Sequence, residues 1–130
     1  MAIPQRLEPG KRLADDDALN TVLATPQWQT NTGITALAGG ARNSSTPVLV
    51  IGSNEVTTVA SAADSVVLPV AIPGSVVFVA NAGASSLQLF ANGSDTINGT
   101  AGATGISVAN GKRILCVAAD LGQWYTILSA

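Results

Sequence analysis

Two stretches decide how this chain folds: Ser75-Val76-Val77-Phe78-Val79-Ala80-Asn81 and Lys112-Arg113-Ile114-Leu115-Cys116-Val117-Ala118-Ala119. Both are runs of β-branched and apolar residues. Pro73-Gly74 and Asn81-Ala82-Gly83 bound the first, Asn110-Gly111 and Leu121-Gly122 the second, so both read as strands. Successive residues of a strand point to opposite faces. In the first, Val76, Phe78 and Ala80 oppose Val77 and Val79; in the second, Ile114, Cys116 and Ala118 oppose Leu115, Val117 and Ala119. Both faces of both strands are therefore apolar. A sheet in a two-layer sandwich built from one chain keeps one wet face, so these strands call for a second cover. The expected cover is another copy of the chain in a closed symmetric oligomer. The N-terminal arm is the other available cover. Val77, Val79, Leu115, Val117 and Tyr125 are accordingly the candidate core and oligomer-interface residues.

The same grammar extends on either side. Strands are expected near 47–51, 54–60, 65–69, 86–91, 105–109 and 123–128, separated by turn signals that include Gly52-Ser53-Asn54, Asn92-Gly93 and Asn98-Gly99. Asn110-Gly111 suits a two-residue hairpin turn, because both residues accept positive φ. The fold class expected is all-β: a β-sandwich, jelly roll or small barrel of about eight short antiparallel strands over residues 46–130. Trp124 and Tyr125 are adjacent on the last strand, so one anchors the core and the other faces outward or into an interface.

Residues 1–45 read differently, as an extended arm. Pro4, Pro9-Gly10 and Pro26 break any pattern, and Gly39-Gly40-Ala41-Arg42-Asn43-Ser44-Ser45 has linker composition. One short helix is expected over about 16–25. An Asp at 15 or 16 would cap it, Ala18, Leu19, Val22 and Leu23 form its apolar stripe, and Pro26 ends it. A helix that short is marginal alone and needs a surface to lie on, in its own domain or on a partner.

Charge is scarce and uneven. The 130 residues carry six Lys and Arg and eight Asp and Glu, a net charge of −2 and 11% charged against 47% hydrophobic. Seven of these charges fall in the first 17 residues: Arg6, Glu8, Lys11, Arg12, Asp15, Asp16 and Asp17. A chain with no basic cluster is not expected to bind nucleic acid electrostatically. No apolar run approaches the length of a membrane span. The opening Met-Ala-Ile-Pro-Gln-Arg has no apolar signal core, so synthesis in the cytosol is expected. A hydrophobic, weakly charged chain is not wholly disordered.

The chain contains no histidine and one cysteine. The commonest general base and metal ligand is thus missing, along with any multi-cysteine zinc site. Cys116 sits mid-strand and reads as a small buried hydrophobe. Asp64, Asp95 and Asp120 fall at turns and read as Asx caps. The acidic run at 15–17 lacks the spacing of a calcium loop, and the glycines form no phosphate-binding loop. The expectation is a non-enzyme with no cofactor and no metal.

Three segments carry a family resemblance. They are Val76 to Phe90 (VVFVANAGASSLQLF), Ser94-Asp95-Thr96-Ile97-Asn98-Gly99, and Gly122-Gln123-Trp124-Tyr125-Thr126-Ile127-Leu128. In order and spacing they resemble small β-rich structural proteins of tailed bacteriophages, over about residues 55–130. The resemblance implies a virion protein of the capsid decoration (cement), head-fibre or tail-fibre kind, often trimeric, with an arm that grips the shell. It further implies synthesis in the host bacterial cytoplasm and a place on the capsid surface. The partners expected are further copies of the chain, most simply in a trimer, and the major capsid protein. Arg6, Lys11, Arg12, Leu19, Leu23 and Trp28 are the candidate capsid-docking residues. A tail-fibre or head-fibre module recognising a host surface glycan is the alternative.

Overall fold

The computed structural model describes residues 28–130. Over this range the chain is all-β, with ten strands in two sheets. The strands are β1 (Gln29–Thr35), β2 (Gly52–Thr58), β3 (Asp64–Val67), β4 (Val76–Asn81), β5 (Leu87–Phe90), β6 (Thr96–Ile97), β7 (Thr100–Ala101), β8 (Ile106–Val108), β9 (Arg113–Asp120) and β10 (Gln123–Leu128). The large sheet runs β1-β2-β4-β9-β10-β6-β7 and the small one β3-β5-β8. The helix expected over about 16–25 lies outside the described residues.

The antiparallel jelly-roll body expected from the sequence is not what these strands build. β1, β2 and β4 pair parallel, and so do β3 and β5. The chain lays one strand in the large sheet, crosses to the small sheet, and returns beside its previous passage. Gln29 pairs with Gly52, 23 residues on; Gly52 pairs with Val77, 25 on; Asp64 pairs with Leu87, 23 on. Parallel neighbours need such a crossover, because a short turn can join only antiparallel ones. The winding then closes with antiparallel pairing: β8 on β5, β9 on β4, and β10 on β9.

The core lies between the sheets as one cluster. Val56, Val77, Val79, Ile114, Cys116, Ala118 and Trp124 enter it from the large sheet, and Val66, Leu87, Leu89 and Val108 from the small one. Full burial of a Val or Leu side chain is worth roughly 1.5–3 kcal/mol.

Turn chemistry explains where the passages bend. Asn98 and Gly99 both have positive φ, 52° and 80°, and join β6 to β7 as a two-residue hairpin. Asn110-Gly111, the pair that suited a hairpin, instead carries the chain from the small sheet to the large. Only Gly111 has positive φ there, and the Lys112 amide donates to the Ala109 carbonyl at 3.0 Å. The 47–51 stretch makes only an isolated parallel bridge, Val48 to Val67. Conversely, residues 29–35, read as part of the arm, form the outermost strand of the large sheet.

Candidate functional site: the outer face of the large sheet

The register of β4, β9 and β10 sorts the candidate interface residues into two groups. Val77 pairs with Cys116 and Val79 with Ile114, and all four are buried in the core. Val77 and Val79 are therefore core residues. Leu115, Val117 and Tyr125 lie on the opposite, outer face. There Leu115 sits between Phe78 and Ile127, and Val117 between Val76 and Tyr125. Two apolar rows thus cross three adjacent strands. Val76, Phe78, Leu115 and Val117 are half-buried, while Tyr125 and Ile127 are 48% and 71% exposed. Among the described residues nothing covers this face. Val76, Phe78 and Ile127 were missed as site residues; the signal was the alternation in 75–81, whose inward parity only the register decides.

Trp124 and Tyr125 divide as expected. Trp124 is fully buried and Tyr125 faces out. The Trp124 Nε1 has no partner among the described residues.

Charged groups mark one end of the outer face. Glu55 on β2 and Arg113 on β9 both pair with Ala80 of β4, so they flank it in a single row. Together with Lys112 they line a shallow cleft of about 270 Å³. Lys112 Nζ donates to the Ala130 carbonyl and Arg113 Nη1 to the Gly111 carbonyl at 3.4 Å, and the charged side chains of residues 28–130 outside this cleft are likewise engaged with backbone. Arg42 Nη1 donates to the Ala91 and Gly93 carbonyls at 2.6 and 2.9 Å. Asp64 accepts from the Ala60, Ser61 and Gly39 amides at 3.1, 3.0 and 3.3 Å. Asp95 accepts from Ala71 N at 2.8 Å and Asp120 from Leu121 N at 2.7 Å. All three aspartates are thus backbone caps.

Of the docking residues expected in the arm, Arg6, Lys11, Arg12, Leu19 and Leu23 lie outside the described residues. Trp28 stands just before β1 and is 55% exposed. Cys116 is buried, and desolvation pushes its thiol up to about 12. Such a thiol is a poor nucleophile, because the thiolate is the reactive form. Among the described residues no three His, Cys, Asp or Glu side chains gather as metal ligands, and no helix is long and apolar enough to cross a membrane. A second cleft, of about 330 Å³, is lined by Arg42, Asn43, Ser44, Thr46 and Asn92 with Val48 and Val67. Compared with family models, with curated proteins and with solved structures, the chain matches none.

Proposed function

We propose that this chain is a virion structural protein, a capsid decoration (cement) protein without catalytic activity. It assembles as a trimer on the head exterior, and its arm grips the major capsid protein through Arg6, Lys11, Arg12, Leu19, Leu23 and Trp28. The observation that carries the reading is the apolar face of Val76, Phe78, Leu115, Val117, Tyr125 and Ile127, which no other described residue covers. An apolar patch of that extent, rimmed by polar groups, marks an interaction surface. The charged groups described above act as struts and caps, which fits a part selected for rigidity. A trimer presents three arms at once, so modest single contacts combine into firm attachment. The family resemblance over residues 55–130 points the same way.

The winding itself reads as a short β-solenoid, in which successive rungs bury each other's apolar faces. That architecture, with the cleft that Arg42, Asn43 and Asn92 line beside Val48 and Val67, favours the second reading, a fibre module that holds a host glycan.

The test is co-sedimentation of the full chain with heads of the phage that encodes it. Saturable binding is expected, lost when Arg6, Lys11 and Arg12 are all changed to Glu. Absence of binding to heads, with retention on a host glycan array, overturns the decoration reading in favour of the fibre module.

A further inference from the structure

We infer that Asn92 is a site of spontaneous deamidation: its side-chain amide closes on the Gly93 nitrogen as a succinimide, and water reopens the ring to leave an aspartyl or isoaspartyl carboxylate beside Arg42. The backbone nitrogen of Gly93 gives up its proton to water, and its electron pair forms a bond to Asn92 Cγ. The bond from Cγ to Nδ2 breaks, and Nδ2 leaves with a proton as ammonia. Water then adds to one of the two ring carbonyls and breaks its bond to the ring nitrogen. The sum is an amide plus water giving a carboxylate and an ammonium ion, with nothing oxidised or reduced. Asn followed by Gly closes this ring most readily, because glycine has no Cβ to crowd the attack and adopts the backbone angles that the ring needs. The chain has three such pairs, Asn92-Gly93, Asn98-Gly99 and Asn110-Gly111.

The fold guards two of them. Asn98 is held by its side chain: Nδ2 donates to Thr126 Oγ1 at 2.8 Å, and Oδ1 accepts from Thr126 N at 3.0 Å. Asn110 is guarded at the attacking nitrogen, since the Gly111 N–H donates to the Asn81 carbonyl at 2.8 Å. At Asn92 neither the side chain nor the Gly93 N–H has a hydrogen-bond partner among the described residues, and Gly93 is exposed, so water reaches the peptide. The bonds that are present there favour the reaction. The Asn92 carbonyl accepts from the Asp95 N–H at 2.8 Å. That carbonyl shares a peptide unit with the Gly93 nitrogen and takes up negative charge when the proton leaves, so a donor on it eases the ionisation. Arg42 Nη1 reaches the Ala91 and Gly93 carbonyls, 2.6 and 2.9 Å away, which sets a cation astride Asn92. A cation there favours both the anion that attacks and the carboxylate that results. Among the described residues Arg42 is the one charged group lining the cleft of about 330 Å³, and Asn92 lines it too. Deamidation therefore turns a basic cleft neutral, whichever role the chain plays.

The experiment ages the full chain in buffer, folded and in urea, and follows each Asn-Gly pair by tandem mass spectrometry, which reads both the mass gained on deamidation and its position. In urea the three pairs are expected to convert at like rates. In the folded chain Asn92 is expected to convert faster than Asn98 and Asn110 by about tenfold or more, the factor that a hydrogen bond or two to be broken first puts on a rate. Thr126→Val removes the Oγ1 acceptor and is expected to speed Asn98 several-fold while leaving Asn92 unchanged. Gly93→Ala has open space for its methyl and is expected to slow Asn92 several-fold, since that methyl crowds the attacking nitrogen. Circular dichroism confirms that each variant folds. Ion exchange is expected to resolve an aged form with one more negative charge, which Asn92→Gln lacks. Folded chains in which Asn98 or Asn110 converts as fast as Asn92 overturn the assignment, as do folded chains whose Asn92 stays intact over the time in which chains in urea convert. A Thr126→Val chain whose Asn98 is no faster overturns the guarding role of those hydrogen bonds.

Discussion

Cys116 shows how a buried group reports on the fold. Desolvation raises its thiol from 9.0 to about 12. In the unfolded chain it ionises near the ordinary value, whereas in the fold it keeps its proton. The stability linked to this group is whole below pH 9 and lost as pH climbs toward 12, because only the unfolded state releases the proton. The loss approaches about 1.4 kcal/mol per pH unit within that window. Urea unfolding on either side of pH 9 should show this slope in the wild type and a shallower one in Cys116→Ala; equal slopes would refute it. Asp64 is the polar counterpart. It is 2% exposed and accepts three backbone N–H bonds that join 39 to the turn at 60–61. Asp64→Ala orphans those donors and should cost about 3 kcal/mol or more. Asp64→Asn keeps one acceptor oxygen and should fall between, in the same urea assay. The cap was legible because Asp beside Ala63 and Ser65 sat at a turn; its third donor, from Gly39, was not, since nothing local links residues 25 apart.

Among the elements, strand positions were largely legible and strand directions were not. Seven of the expected strands recur as β2, β3, β4, β5, β8, β9 and β10, because apolar runs between Gly, Asn and Pro turns are a local signal. Parallel pairing is a long-range choice, and β4 reads the same beside a parallel or an antiparallel neighbour. β1 escaped notice because Gln29-Thr30-Asn31-Thr32-Gly33-Ile34-Thr35 offers only Ile34 to the core. The apolar outer face was half legible. Two-sided apolarity was plain in 75–80 and 112–119, but the inward parity of β4 and β9 depends on their mutual register. Gly52 shows how tightly β1 and β2 meet. It has φ of 122°, and a Cβ there would lie 2.2 Å from the Gln29 carbonyl oxygen and 2.6 Å from its nitrogen. No neighbouring side chain can move to make room, since both atoms are backbone. Gly52→Ala should therefore push β1 off β2, at a cost of at least about 2 kcal/mol. Amide exchange should show lost protection at β1 amides first, with β9 and β10 unchanged.

At the scale of the whole molecule, stability should be graded along the winding even though the core is one cluster. Each passage rests mainly on its neighbours, so the end passage has support from one side only. β1 is that end among the described residues. It pairs with β2 alone, its register shifts on both sides of Ile34, and Gly33 has φ of 71°. β4 is the opposite case, held by β2 on one side and β9 on the other, with Val77 and Val79 fully buried. Local opening draws on regions with few buried apolar groups, while the central strands open only with global unfolding. Ile34→Ala and Val79→Ala remove buried apolar groups from these two environments. Val79→Ala should lower the global urea midpoint by the equivalent of about 2 kcal/mol and speed exchange in every strand. Ile34→Ala should speed exchange in β1 and leave the slowest amides of β4 and β9 nearly as they were. If Ile34→Ala lowered the protection of β4 and β9 by as much as that of β1, the winding would unfold as one all-or-none unit and the graded account would fail.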